Sequence, residues 1–167
     1  MSRHRISPKS GWADLKQMPT GPNGRRLCRH CSQEVPKGRR TFCSEACVHE
    51  WKVRTNPQYV RRQLLARDRG VCQHCRFDTQ RFREEIDRLP FTQRQDALRA
   101  RGYLWWTAHL WEADHIVPVI EGGGECGLEN YRTLCIPCHR AATKQLHQRR
   151  SAAKTGQHAQ HHQGGQS

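Results

Sequence analysis

Four polar side chains stand out between residues 112 and 144 of this 167-residue chain. Asp114 and His115 open a β-like apolar run, Asn130 follows a glycine-rich turn, and His139 directly follows the last cysteine. In a compact hairpin-plus-helix unit, Asp114 and His139 can converge on one cation. A carboxylate oxygen and an imidazole nitrogen suit Mg²⁺, Mn²⁺ or Zn²⁺. We therefore expect these two residues to hold a catalytic divalent cation.

His115 is the candidate general base. A neutral imidazole can take a proton from water near pH 7, and a neighbouring cation would stabilise charge on a leaving oxygen. Because successive side chains of a regular strand point to opposite faces, His115 needs a bend or bulge to reach the same phosphate as Asp114. The residue types therefore favour metal-assisted phosphodiester hydrolysis.

Eight of the nine cysteines fall into two sets with the spacing of metal ligands. The first set is Cys28, Cys31, Cys43 and Cys47; the second is Cys72, Cys75, Cys135 and Cys138. Four thiolates around Zn²⁺ form a closed tetrahedral site, which is structural rather than catalytic. Since no secretory signal is seen at the N-terminus, paired cysteines indicate zinc before disulfides. The sequence predicts two structural Zn²⁺ ions.

The elements that must position these residues follow from the local patterns. Residues 71–147 are predicted to form a strand, a loop, a second strand and a helix that runs to about His147, with a helical insertion over 79–101. Residues 25–55 form a four-cysteine zinc finger, and 56–70 form a linking helix that Asn56 begins and Gly70 ends. Residues 1–24 are expected to be a flexible basic arm, and 148–167 a disordered tail.

The net charge of +14 is typical of proteins that bind nucleic acid. No apolar run is long enough to cross a membrane, so we expect DNA as the partner and no membrane association. Oligomeric state is left open. The candidate nucleic-acid contacts are Arg25, Arg26, Arg39, Arg40, Arg61, Arg62, Arg132, Arg140 and Lys144.

Taken together, DH-x-x-P, the glycine loop, L-x-N and LC-x-x-CH resemble the HNH endonuclease family over about residues 71–145. The resemblance implies a small, zinc-stabilised α+β fold with a ββα-metal core, here preceded by the zinc finger and the linking helix. It also implies that His115 is the general base and that Asp114 and His139 are metal ligands. Asn130 would orient the base or its loop. The expected products carry 5′-phosphate and 3′-hydroxyl ends.

With the finger and the linking helix included, the chain is also similar to the nuclease region of eukaryotic annealing helicases. It has no G-x-x-x-x-G-K-[ST] segment, so we expect a nuclease module standing alone, intracellular in any case and cytoplasmic, with the nucleoid, if bacterial. A zinc-finger nucleic-acid-binding protein with a non-catalytic HNH fold is the alternative. A nuclease acting on RNA ranks below one acting on DNA.

Overall fold

The computed structural model describes residues 13–104, 107–124 and 126–161, with side chains through residue 153. In chain order the helices and strands are α1 (Glu45–Thr55), α2 (Pro57–Asp68), α3 (Thr79–Asp87), α4 (Phe91–Ala100), β1 (Trp111–His115), β2 (Tyr131–Cys135) and α5 (Ile136–His161). Short 3₁₀ turns at Val119–Glu121 and Leu128–Asn130 lie between the two strands. The chain divides into two compact units. The finger unit comprises the residues up to Val60 with Pro118–Glu129, and the second unit comprises Arg61–Val117 with the residues from Asn130 onward.

The finger unit is built on short hairpins and one helix. Isolated bridges pair Thr20 with Arg26 and Leu27 with Glu34. Helix α1 begins after Ser44, whose side chain accepts a hydrogen bond from the Cys47 backbone N–H, as a helix N-cap does. Little apolar area is buried around these elements, which suits a fold that depends on metal ligands for stability.

Part of the expected basic arm is ordered within the finger unit. Residues 13–20 form turns, and Met18 is buried with only 6% of its surface exposed. The Leu27 backbone N–H donates to the Pro19 carbonyl oxygen, and Arg26 Nε donates to that of Leu15. The expectation of a flexible arm therefore fails over residues 13–24, because the backbone here joins the next hairpin. Residues 1–12 lie outside the described part of the chain.

The second unit centres on an antiparallel pair of strands followed directly by a helix. Trp111 pairs with Cys135, and the register continues through Asp114 with Arg132 to His115 with Tyr131. Apolar side chains from the insertion helices α3 and α4 pack on this pair. Ile86 of α3, Leu98 of α4 and Leu134 of β2 are each at most 3% exposed and belong to one core cluster. The insertion at 79–101 is therefore part of the core of the second unit.

Helix α5 is longer than the sequence analysis expected. It runs to His161, over most of the tail that we expected to be disordered from residue 148. The extension is rich in Ala, Gln, Lys and Arg, which are good helix formers and need no apolar partner. A segment of this composition can therefore be helical without packing on a core. Although α5 has 26 residues, no helix in the described ranges is apolar enough to span a membrane.

Candidate active site

The first cysteine set lies within the finger unit. The Sγ atoms of Cys28, Cys31, Cys43 and Cys47 all lie within 4.8 Å of one another. Cys43 Sγ is 3.5 Å from that of Cys31 and 3.3 Å from that of Cys47. Tetrahedral Zn²⁺ with bonds of about 2.3 Å places its sulfur ligands roughly 3.8 Å apart. The set therefore fits a structural Zn²⁺ ion.

The second set brings together two distant parts of the sequence. The Sγ atoms of Cys72, Cys75, Cys135 and Cys138 also lie within 4.8 Å of one another, with 3.7 Å between those of Cys75 and Cys135. His74 Nδ1 is 3.5 Å from Cys138 Sγ. This second site joins the end of β2 and the start of α5 to the 72–75 turn.

The two turns that begin these sets repeat the same local structure. In Cys28–Cys31, the Cys28 N–H donates to the Gln33 carbonyl, and in Cys72–Cys75 the Cys72 N–H donates to that of Phe77. Burial opposes ionisation of both first cysteines, but backbone N–H groups lower the pKa of Cys28 and of Cys72 to about 7. The shared pattern C-x-H-C was the available sequence signal for this repeat. Both turns are therefore prepared to present a thiolate to a metal.

Asp114 and His139 are brought together by the strand pair and α5. Asp114 Oδ1 lies 3.7 Å from His139 Nε2, and both side chains are partly exposed. Two ligands of one ion at about 2.1 Å each can lie at most roughly 4.2 Å apart. The oxygen and the nitrogen therefore fit a shared Mg²⁺, Mn²⁺ or Zn²⁺ ion without a large movement.

Arg132 fixes the other oxygen of the same carboxylate. Its Nε and Nη2 atoms each lie 2.8 Å from Asp114 Oδ2, across the strand pair. The sequence analysis predicted that Arg132 contacts nucleic acid. The structure places its guanidinium on Asp114, which leaves Oδ1 facing His139; its contact with nucleic acid stays a prediction. The register Asp114 with Arg132 explains the contact, but it cannot be read from either residue alone.

His115 is the last residue of β1 and lies beside Tyr131. The sequence analysis assigned no role to Tyr131. Their ring centroids are 4.3 Å apart at an interplanar angle of 44°, because the two residues are opposite each other in the strand register. Burial lowers the pKa of His115 from its ordinary value, and the nearby Asp114 carboxylate opposes that shift. A lowered pKa keeps the imidazole neutral, in the form that accepts a proton.

The Asn130 side chain is hydrogen-bonded to the segment that follows His115. Its Oδ1 accepts a hydrogen bond from the Val117 N–H at 2.8 Å, and its Nδ2 donates to the Val117 carbonyl at 3.0 Å. The Asn130 carbonyl also accepts from the Ile116 N–H at 2.8 Å. One carboxamide thus satisfies both backbone groups of Val117, two residues after His115. The contact fixes a loop that no regular element would hold.

The predicted nucleic-acid contacts have different surroundings. Arg61 donates to Glu112 at 2.6 Å and to the Trp111 carbonyl at 3.1 Å, and its guanidinium lies over the Trp111 ring. Arg61 therefore joins α2 to β1. Arg140 lies 3.4 Å from the Gly102 carbonyl. Arg25, Arg40, Arg62 and Lys144 have exposed side chains, whereas Arg26 and Arg39 are only partly exposed.

Comparison with known proteins shows a matching family and several similar proteins. The HNH endonuclease family matches residues 105–145. The chain is 34% identical to the mouse (Mus musculus) "DNA annealing helicase and endonuclease ZRANB3", over 89% of this chain and 16% of that protein. The human (Homo sapiens) protein of the same name is 30% identical over 89% of this chain and 17% of its own length. The chain thus spans about a sixth of the curated relatives that it matches.

A solved structure is also similar to part of this chain. The crystal structure of the human ZRANB3 HNH domain is 31% identical in sequence, with a TM-score of 0.48, over 60% of this chain and 97% of that one. The expected small α+β fold with two four-cysteine sites is confirmed. The matched residues 105–145 contain Asp114, His115, Asn130 and His139. This chain therefore carries a domain of the HNH endonuclease family.

Proposed function

We propose that this protein is a metal-dependent endonuclease that hydrolyses DNA phosphodiester bonds. The observation that carries the proposal is the 3.7 Å approach of Asp114 Oδ1 in β1 to His139 Nε2 in α5, with His115 next to Asp114 at the end of β1. An oxygen ligand, a nitrogen ligand and a neighbouring neutral base are the groups that hydrolysis of a phosphodiester requires.

His115 acts as the general base. Its imidazole takes a proton from the water that attacks phosphorus in line with the leaving 3′ oxygen. Burial lowers the pKa of His115, which keeps the base form available below the usual range for histidine. Packing on Tyr131 and the Asn130 bonds to Val117 restrict the orientation of the ring and of the loop that follows it.

Asp114 and His139 would hold the divalent cation, for which their oxygen and nitrogen atoms suit Mg²⁺, Mn²⁺ or Zn²⁺. Such a cation supplies charge stabilisation for the phosphate and the leaving oxygen. Arg132 keeps one Asp114 oxygen occupied, so that the other is presented to the cation. The product ends would be 5′-phosphate and 3′-hydroxyl.

DNA is the preferred substrate for two reasons. The chain carries a net charge of +14, which gives strong and salt-dependent affinity for a phosphate backbone. The curated relatives have both DNA and endonuclease in their names. Eight thiolate ligands also require a reducing compartment, so we place the protein inside the cell.

Cleavage of matched substrates tests this function. Zinc-loaded protein is incubated with duplex DNA, single-stranded DNA and RNA of the same sequence, with and without added Mg²⁺ or Mn²⁺. We expect DNA cleavage that depends on the added cation and weaker cleavage of RNA. If the protein binds all three substrates equally well and cleaves none of them, the result would instead support a zinc-finger binding protein with a non-catalytic HNH fold.

A further inference from the structure

The finger unit contains a cleft whose residues the zinc site does not use. It has a volume of about 700 Å³ and lies between residues 15–20, 24–26 and 35–40. Six cationic side chains line it: Lys16, Arg25, Arg26, Lys37, Arg39 and Arg40. The lining residues, all in the described part of the chain, include no Asp or Glu. We call this feature the finger groove.

The finger groove is held open by backbone and side-chain contacts. Arg26 Nε donates to the Leu15 carbonyl at 3.0 Å, and Arg39 Nε donates to the Phe42 carbonyl at 2.9 Å. Met18 and Val35, which also line the groove, are 6% and 4% exposed. Arg26 and Arg39 are thus oriented before any ligand arrives. Such preorganisation lowers the entropy cost of binding.

The charge of the finger groove remains strongly positive after its acidic neighbours are counted. Arg39 Nη2 pairs with Glu45 at 2.8 Å, so one of the six charges is offset. Glu34 accepts hydrogen bonds from the backbone and side chain of Asn23, and the Arg25 charge helps to lower its pKa. Even with both carboxylates set against the six cations, an excess of four positive charges faces one concave surface. The ligand must therefore carry several negative charges.

We propose that the finger groove binds the phosphodiester backbone of nucleic acid, independently of base sequence. The proposal rests on the proposed DNA-cleaving function and names the element that anchors its substrate. None of the described residues that line the groove is aromatic, so these residues offer no stacking surface for unpaired bases. Contacts to phosphate give affinity and register without sequence information. Lys16, Lys37 and the arm residues 15–20 thereby gain a role that the sequence analysis did not assign.

An anionic membrane is the rival polyanion. Insertion into a bilayer requires apolar side chains that project beyond the charged groups. Of the apolar residues that line the finger groove, Met18 and Val35 are buried and Leu15 is partly exposed, which leaves Pro36 as the exposed one among the described lining residues. The arrangement therefore favours a polyanion that lies in the groove over a surface that must be penetrated.

The test measures DNA binding as a function of salt. A fluorescently labelled duplex of mixed sequence is titrated with zinc-loaded protein, without Mg²⁺ or Mn²⁺, and its anisotropy is followed between about 50 and 200 mM salt. The groove variant is Lys37→Gln with Arg40→Gln, and both side chains are exposed. The matched control is Arg88→Gln with Arg99→Gln, which removes the same charge from exposed residues outside the groove.

We expect the groove variant to weaken binding roughly tenfold and to reduce the salt slope by about 2, one for each lost phosphate contact. The control should stay within about twofold of wild type, since it changes only the net charge. Equal weakening in the two double variants would overturn the proposal. So would an unchanged DNA affinity combined with lost binding to phosphatidylserine vesicles.

Two further measurements keep the result interpretable. If the groove variant loses zinc, or if its circular dichroism spectrum differs from that of the wild type, the single variants Lys16→Gln and Lys37→Gln replace it. Each single variant should change the salt slope of DNA binding by about 1. Wild-type protein that binds through the groove without cleaving any substrate would leave the groove proposal standing and refute the nuclease.

Discussion

Arg132 donates from Nε and Nη2 to the same oxygen of Asp114, at 2.8 Å each. The remaining Asp114 oxygen is 3.7 Å from His139 Nε2. The pair connects the two strands at the register position just before His115 and Tyr131. Arg132 is therefore a positioning residue for the proposed metal ligand, although its charge also competes with a cation for the carboxylate.

Substitution of Arg132 should separate these two effects. In Arg132→Gln we expect the maximal cleavage rate to fall by about tenfold, as is typical when the support of a metal ligand is lost. The half-saturating Mn²⁺ concentration should fall, because a competing positive charge is removed. Arg132→Lys should restore the competition but not the orientation. Cation titrations of single-turnover cleavage measure both quantities, with Arg88→Gln, at an exposed residue that has no proposed role, as the control; an unchanged rate in Arg132→Gln would contradict the positioning role.

Asn130→Ala should release the segment after His115. Two hydrogen bonds to Val117 are lost, which should cost about 1–2 kcal/mol of unfolding free energy. We expect the fraction of cleavage activity lost to be larger than the fraction of stability lost. Asn130→Asp keeps the acceptor for the Val117 N–H but loses the donor to its carbonyl, so we expect an intermediate result. Urea unfolding and cleavage rates give the two readouts. Full activity in Asn130→Ala would show that the loop does not need this carboxamide.

The chemistry-bearing residues were easier to predict from sequence than their supports. Two C-x-x-C pairs and the order of Asp114, Asn130 and His139 indicated the family, since ligand types and spacings are local properties. The contacts of Arg61 with Glu112, and of Tyr131 with His115, depend on strand register and tertiary packing. Both follow only once β1 and β2 are paired. For the same reason, the sequence could not show that Arg61 pairs with Glu112; its contact with phosphate stays a prediction.

The protonation of His115 should show the effect of its burial. Burial lowers the pKa of His115, so in the folded protein the imidazole stays neutral at pH values where the unfolded chain binds a proton. Stability should therefore fall as the pH drops below about 6.5, through the lowered folded value, and His115→Gln should reduce that loss. Thermal unfolding at about pH 7 and about pH 5 measures this difference. An NMR titration of zinc-loaded protein without further cations should give a His115 pKa below the ordinary histidine value of about 6.5; a higher value would contradict the prediction.

Loss of either zinc site should unfold the unit that carries it, the finger unit or the second unit, more than the other unit. Cys31→Ser removes a ligand from the finger unit, and Cys75→Ser removes one from the second unit. Because structural zinc contributes on the order of 10 kcal/mol to such folds, we expect strong loss of hydrogen-exchange protection in the unit that carries the substitution. Exchange followed by mass spectrometry measures it peptide by peptide. Equal loss of protection in both units would show that they fold as one.

Arg61→Gln should act on stability rather than on DNA binding. The substitution removes the ion pair with Glu112 and the contact with the Trp111 ring, at a cost of about 1–2 kcal/mol because both groups are partly exposed. Glu112→Gln should lose part of the same energy, and the double variant little more than Arg61→Gln alone. The salt slope of DNA binding should stay at its wild-type value. A slope reduced by about 1 would return Arg61 to the phosphate contacts.

Cleavage by His115→Ala tests the central claim most directly. Wild-type and variant proteins with equal zinc content are incubated with supercoiled plasmid and Mg²⁺ or Mn²⁺, and the nicked and linear forms are separated on a gel. The account predicts nicking or linearisation by the wild type and a loss of at least about 100-fold in the variant, the usual contribution of a general base. Equal cleavage by both proteins would contradict the role of His115, and equal DNA retention without cleavage by either would contradict the nuclease itself.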